Sequence, residues 1–351
     1  MSDSTTLCYE WKEDLESQKW DTILASLCGH PLQSAKWGDA KMLSNGTKDK
    51  RWAVFKDGKP IYLIRFEERY LLKYIKIAWV PRGFSELNEN EELIIHNEFL
   101  KRLKQNFFSL CIMSPYKHTT VKKVNHFTQY TIWLDLKLGT EKLWANLHTN
   151  FRRHVRNARR NEVLVEETID PHDIHAFYKL CTLTSLQKKF SLHTSEISVN
   201  YLISKINSES VSSHLFVARY QGKLCGGLFV IRCGESVHNW LAAVDRDYSK
   251  LSIGEILHWE VAEWAVDQKC KLYDLEGISD LNSSTDRFKK KLGGTVITFP
   301  GEQLYPLHMS TRIFLPFMKF YLKLQVKIRI FKYYFLGYLR RIKYFKTSHS
   351  N

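Results

Sequence analysis

The sequence predicts an α+β protein built from two similar halves and closed by a basic, aromatic-rich helical tail. Two strand–turn–strand segments with a glycine at the turn, far apart in the chain, predict the halves. Amphipathic helices between and after them supply the α component. A C-terminal stretch without a single Asp or Glu after Glu302 predicts the tail.

The first hairpin is Trp52 to Phe55, then Lys56-Asp57-Gly58-Lys59, then Ile61 to Phe66. Asp-Gly supplies the positive φ angles that a two-residue hairpin turn demands. Leu215 to Tyr220, Gln221-Gly222 and Lys223 to Ile231 repeat the plan, and Val237 to Ala243 follows as a further strand. Such a repeat suggests two copies of one unit, although strand–turn–strand is a common pattern. Between the copies a helix is predicted over 141–161. Leu143, Leu147, Phe151, Val155 and Ala158 would form its apolar stripe, with Arg152, Arg153, Arg156, Arg159 and Arg160 on the remaining surface. A second helix starts at Pro171, as expected of Pro in a first turn, and runs to about Leu186. A third spans about 252–268. Next come a buried-looking strand, Lys271 to Leu275, and a capped helix from about Ser283 to Gly293-Gly294.

The chain has 351 residues, 44% hydrophobic and 25% charged, which is ordinary globular composition. No uncharged run reaches the ~18–20 residues of a membrane-spanning helix. The acid-rich start is no secretory leader. The seven Cys are scattered, with no C-x-x-C pair, which fits reduced thiols in a cytoplasmic protein. The net charge of +15 is concentrated at the C-terminus, where Arg312, Lys319, Lys323, Lys327, Arg329, Lys332, Arg340, Arg341, Lys343 and Lys346 stand among large apolar residues. Residues 312–346 would lie on an anionic membrane surface, peripheral to its inner face, or pack on the body with a basic face outward. A nucleic-acid arm would be less apolar.

Catalytic motifs are sparse. There is no G-x-S-x-G elbow, no G-x-x-x-x-G-K-[ST] loop and no G-x-G-x-x-G. The fourteen His form no H-E-x-x-H, and no metal site is expected. A coenzyme A pyrophosphate loop would read [QR]-x-x-G-x-[GA], and Lys250-Leu-Ser-Ile-Gly254-Glu255 lacks it.

An ordered set of stretches across residues 30–300 resembles the Fem peptidyltransferases (FemA, FemB and FemX). Leu32-Gln33-Ser34-x-x-Trp37-x-x-x-Lys41 is similar to the family's opening, and Val80-Pro81-Arg82-Gly83 to its P-R-G element. Arg153 to Val163 is similar to its Arg-rich helix, and Tyr248 to Trp259 to its Y-x-x-L helix start. Tyr273-Asp274-Leu275-x-Gly277 resembles Y-D-L-x-G. Phe288-Lys289-x-x-Leu292-Gly293-Gly294 resembles F-K-x-x-F-G-G, with Leu292 in place of an aromatic.

The resemblance implies two tandem GNAT-like domains. The first would cover 1–145, completed by a strand returning near 295–303; the second would cover 146–296, with the tail at 304–351. It implies no resident cofactor and an amino acid moved from aminoacyl-tRNA to an amine of a cell-wall precursor or a sugar-nucleotide-linked acceptor. A related polysaccharide-associated GNAT branch leaves acyl-CoA as the alternative donor, and a non-catalytic membrane-associated binding module is the third reading.

By the resemblance, Lys289, after Phe288, would face the oxyanion of the reaction, where a fixed cation lowers the barrier by a few kcal/mol; otherwise it is one of three surface lysines. Lys41 and Arg82 would clamp phosphate or carboxylate oxygens, with Trp37 beside them, or form surface ion pairs. Asp274 would accept the amine's proton or cap the turn that follows it. Tyr248 would bond substrate or be a half-buried aromatic. Arg152, Arg153 and Arg156 would meet tRNA phosphates or form a solvated face.

Overall fold

The computed structural model describes residues 9–13, 15–83, 89–116, 129–188, 190, 192, 194–204, 210–277 and 284–317, with Phe320, Leu324 and Ile328 beyond them. The sequence expectations for the rest of the tail lie outside the described residues.

The first half contains β1 (Tyr9–Glu13), α1 (Ser17–Ser26), α2 (Ala35–Asn45), β2 (Lys48–Lys56), β3 (Lys59–Leu71), β4 (Ile75–Gly83), α3 (Glu89–Gln105) and β5 (Leu110–Pro115). The next part contains β6 (Gln129–Asp135), α4 (Gly139–Asn146), α5 (Thr149–Arg160), β7 (Leu164–Thr168), α6 (Pro171–Lys188), α7 (Glu196–Ser204), β8 (Val211–Tyr220), β9 (Lys223–Cys233) and β10 (Ser236–Val244). Then follow α8 (Ile253–Asp267), β11 (Leu272–Asp274), α9 (Ser284–Lys290), β12 (Thr295–Phe299) and β13 (Gln303–Pro306). A last helix, α10, begins at 309 and is described through 317.

Two sheets result, ordered β1-β2-β3-β4-β5-β13 and β12-β6-β11-β10-β9-β8-β7. Their central parts repeat strand for strand. An edge strand leads through two helices to an antiparallel three-strand meander, and a crossover helix then feeds a parallel fifth strand. In the first half this is β1, α1, α2, β2, β3, β4, α3, β5; in the second it is β7, α6, α7, β8, β9, β10, α8, β11. The two glycine turns are equivalent in this scheme. Asp57 and Gly58 have φ of 51° and 74°, Gln221 and Gly222 of 50° and 76°, the left-handed pair that matches strand twist in a two-residue hairpin.

Three sequence expectations are corrected. First, Thr295–Phe299 does not return to the first sheet. It pairs antiparallel with β6 at the edge of the second sheet, and β13 is the strand that crosses back to pair with β5. Gly301, at φ 78°, turns the chain between them. Second, the boundary at 145/146 is too late, because β6 and α4 already belong to the second unit: β6 lies between β11 and β12.

Third, the single helix predicted over 141–161 is two. Leu147 and His148 are extended, with ψ near 140°. His148 N–H donates to Lys291 O at 2.9 Å, and its ring Nδ1 accepts from Asn150 N–H as the cap of α5. Gly293 makes this docking possible, since a Cβ there would stand 2.4 Å from Asn146 O. The predicted stripe survives the break: Leu143, Leu147, Phe151, Val155 and Ala158 are all buried in the second unit's core.

The halves meet along a seam. Trp37 of α2 packs edge-on against Trp240 of β10 with ring centroids 4.7 Å apart, and His30 against His238 at 4.6 Å. α2 also lies along α7, where Ser198 Oγ donates to Ala40 O and Tyr201 hydroxyl to Asp39.

Candidate active site where the seam meets a strand fork

β10 and β11 run parallel for only three residue pairs, ending at His238 opposite Asp274. Beyond that point β10 continues to Val244 while the other chain turns away through Leu275, Glu276 and Gly277. Divergence of parallel strands opens a crevice at their carboxyl ends, the usual place for a ligand in such sheets. The mouth of this fork faces the seam and collects polar groups from both halves.

Glu276 is the centre. Its Oε1 accepts from His30 Nε2 and from His238 Nδ1, each at 2.8 Å. Leu32 N–H donates to His30 Nδ1, which leaves the ring proton on Nε2. Burial opposes ionisation of Glu276, but its interactions with His30 and His238 outweigh it and hold the carboxyl well below its ordinary range. His30 itself is lowered to about 3 by burial, against the pull of Glu276. Both rings are fully buried, whereas the Glu276 side chain keeps 14% exposure. Glu276 therefore presents a fixed negative charge to the crevice.

These three residues are also the one group among the described residues with the makings of a metal site. The donor set argues against it. A ligating His normally donates from its other nitrogen, yet His30 Nδ1 accepts. Two atoms bound to a tetrahedral zinc at ~2.1 Å would stand about 3.4 Å apart, not at the observed 2.8 Å.

Asp274 is enclosed. Oδ1 accepts from Thr131 hydroxyl and from Glu276 N–H at 2.8 Å; Oδ2 accepts from Trp133 Nε1 at 2.9 Å and Tyr116 hydroxyl at 3.1 Å. Burial and the neighbouring Glu276 charge raise its pKa. Of the two readings, the cap is the one observed: Asp274 organises the turn at 275–277 and ties it to β6. It offers no free oxygen to a substrate amine.

Lys289 is likewise committed. Its ammonium donates to Leu275 O at 2.5 Å, Glu276 O at 2.7 Å and Gly277 O at 3.3 Å. An ammonium has three protons, so the fork's backbone takes all of them. Burial lowers its pKa to about 8, against the pull of Glu276, Asp274 and Asp286. In this structure Lys289 holds the segment that carries Glu276.

Arg82 is different. It lies near the end of β4 with φ 50°, a conformation uncommon for a non-glycine residue. Glu276 shares this feature, at φ 54°. The Arg82 guanidinium rests 4.8 Å from the Phe299 ring. Its Nη1 is buried without an acceptor among the described residues. Its charge is felt by His30 and Tyr116, as is that of Glu276. A cation from one half and an anion from the other thus both act on the same pair of rings.

The remaining expected residues serve elsewhere. Trp37 is 3% exposed and packs the seam; Lys41 Nζ lies 5.5 Å from the Trp37 ring. Tyr248 leans on Tyr220 beside the second core, and Phe288 fills space between Phe151 and His258. Arg152 caps α4 by donating to the carbonyls of Trp144, Ala145 and Leu147. Arg156 stacks on Trp144, Arg159 pairs with Glu260 and Glu263, and Arg153 is exposed. Buried thiols are no nucleophiles here: burial raises Cys225 to about 11 and Cys181 to about 12.

Sequence reasoning missed His30, Tyr116, His238 and Glu276. Glu276 was the unread position inside Tyr273-Asp274-Leu275-x-Gly277, and His30 stands two residues before the quoted opening. Only the fold brings them within hydrogen-bond distance.

Residues 145–290 match the family model described as acetyltransferase (GNAT) domain. No curated protein sequence matches the chain. Among solved structures, the fold is similar to that of FemX, with a TM-score of 0.71 at 15% identity, covering 87% of this chain and 99% of that one. It is also similar to a conserved protein of unknown function from Bacteroides thetaiotaomicron (TM-score 0.55, 10% identity, 86% of this chain and 100% of that one). L-PGS from Bacillus licheniformis is a third (TM-score 0.53, 11% identity, 85% and 94%). Residues 145–290 are thus similar to a GNAT acetyltransferase domain, within a chain whose fold is the Fem-like, tandem-GNAT one.

Proposed function

We propose that this chain is an acyltransferase that moves an aminoacyl group from aminoacyl-tRNA to an amine on an anionic, cell-wall-precursor type of acceptor. The observation that carries the reading is Arg82, a partly buried cation whose Nη1 is buried without an acceptor among the described residues and whose charge, like that of the Glu276 carboxylate, acts on His30 and Tyr116. Such a pair suits an acceptor bearing both an amine and a carboxylate or phosphate. Arg82 would hold the anion through two parallel N–H donors. Glu276, kept ionised beside its two histidines, would hold the incoming ammonium until one proton passes to water. The free amine then attacks the ester carbonyl, the amide C–N bond forms as the ester C–O bond breaks, and the amine's second proton goes to the departing ribose oxygen of the tRNA. Fixing both ends of the acceptor in a crevice converts a chance encounter into a positioned one, which lowers the barrier.

A second reading keeps the acceptor and changes the donor to acyl-CoA. The matched acetyltransferase family model favours it; the absent pyrophosphate loop at 250–255 disfavours it.

The experiment incubates the full chain with radiolabelled aminoacyl-tRNA and a nucleotide-linked muropeptide, and in parallel with labelled acetyl-CoA. Label passing from tRNA to the peptide amine supports the first donor. Label passing only from acetyl-CoA replaces it with the second. Arg82→Gln should raise KM for the acceptor at least ~10-fold with an unchanged melting temperature. No product from either donor overturns the assignment.

A further inference from the structure

The geometry points to a second functional surface, independent of the transfer reading: one end of the first sheet, together with α10, docks on an anionic lipid bilayer. α10 is helical over 309–317 and again at Phe320, Leu324 and Ile328. Its root is fastened to the body on one side, where Thr311 is buried and Leu315 packs on the cluster of Leu71, Ile77, Leu110 and Ile112. The other side carries Ile313, Phe317, Phe320, Leu324 and Ile328, spaced by four, three, four and four residues. At 100° per residue these fall on one stripe. All are exposed, Ile313 by 71%, Phe317 by 57% and Phe320 by 65%, and Phe314 beside them by 61%.

Exposed single apolar residues need no explanation, but a continuous stripe of large ones marks an interaction surface. Leu315 joins it to a second apolar element. The cluster on which Leu315 rests also contains Ile75 and Leu71, the residues that bracket the β3–β4 turn. At the tip of that turn Leu72 is 43% and Tyr74 89% exposed, with Lys73 between them. Helix root and hairpin tip therefore share one end of the molecule.

Charge selects the occupant. From residue 303 onward the sequence has ten Lys and Arg and no Asp or Glu. Arg312, Lys319, Lys323 and Lys327 recur within the apolar stretch itself. A protein partner would have to be strongly acidic and apolar at once. A bilayer with anionic headgroups offers both, attracting the basic residues near its surface while the aromatic stripe enters the headgroup boundary. Among the described residues no helix is long and apolar enough to cross a membrane, so the attachment is interfacial.

The test is co-sedimentation of the full chain with vesicles of phosphatidylcholine alone and of phosphatidylcholine with 30% phosphatidylglycerol as probe. Binding should appear on the anionic vesicles, fall steeply with added salt, and drop at least ~10-fold in the triple variant Ile313→Ser, Phe317→Ser, Phe320→Ser, which leaves every charge in place. A second variant, Leu72→Ser with Tyr74→Ser, should weaken binding by a smaller factor. Equal binding to neutral vesicles, no binding to either, or binding unmoved by the triple variant overturns the proposal. So does a dimer in solution that the triple variant dissolves, since a second copy would then be what covers the stripe.

Discussion

Gln33 and Arg65 exchange two hydrogen bonds, as paired residues on neighbouring strands would. Gln33 Oε1 accepts from Arg65 N–H at 2.7 Å, and its Nε2 donates to Arg65 O at 3.0 Å and to Pro81 O at 2.5 Å. The β3–β4 ladder stops at Glu67 opposite Trp79, and Pro81 could not have continued it as a donor. One side chain from the loop before α2 thus splices two strands where they part. The strand it secures carries Arg82 one residue before its end.

Replacing Gln33 with Leu removes the splice but keeps the volume. Three buried backbone groups lose partners, and each such loss costs ~1–3 kcal/mol. The variant should lose about 2–5 kcal/mol in a denaturant titration and bind the anionic acceptor more weakly, because Arg82 is no longer held. A loss below ~1 kcal/mol would mean that the strands close without it.

Lys289→Met separates positioning from chemistry. The Leu275, Glu276 and Gly277 carbonyls lose their shared donor, at an expected cost of roughly 2–4 kcal/mol and with both kcat and KM worsened as Glu276 shifts. An unchanged melting temperature with kcat reduced more than ~100-fold would instead return Lys289 to the oxyanion role that the family resemblance implies.

Acid should unfold the seam early. The unfolded chain takes up a proton on His30 near pH 6.5, which the folded protein refuses until about 3; burial and the Lys289 charge lower His258 to about 3 as well. The unfolded state therefore binds more protons throughout that window. Stability is complete above pH 6.5 and declines as the pH falls toward 3. Glu276, held low in the folded state, adds to the loss at its acid end. Stability from urea titrations at pH 7 and pH 4 should differ by about 3 kcal/mol per histidine, and His30→Gln, although less stable at pH 7, should show a shallower decline. Parallel profiles for the two proteins would remove His30 as a cause.

Read as a sequence, the chain already disclosed its elements. Periodicity of two and of 3.6 located the hairpin strands at Trp52 and Leu215, the helix at Pro171 and the stripe from Leu143 to Ala158, since each reflects whether successive side chains face a core. Asp57-Gly58 and Gln221-Gly222 disclosed their turns because a left-handed pair demands such residues. The break at His148 was hidden, because it is made by Lys291 and Gly293, which lie far along the chain.

The site was legible only in part. Arg82 and Asp274 stood inside motifs, yet whether a charged side chain is free or committed depends on which backbone folds against it. Lys289 and Arg152 turn out to serve carbonyls that no spacing links to them. His30, His238 and Glu276 carry no local signature, since their meeting needs both halves docked and β10 parted from β11. Local chemistry sets what a segment can become. The direction in which a charge finally points is decided by contacts between residues distant in the chain, and only the tertiary structure brings those together.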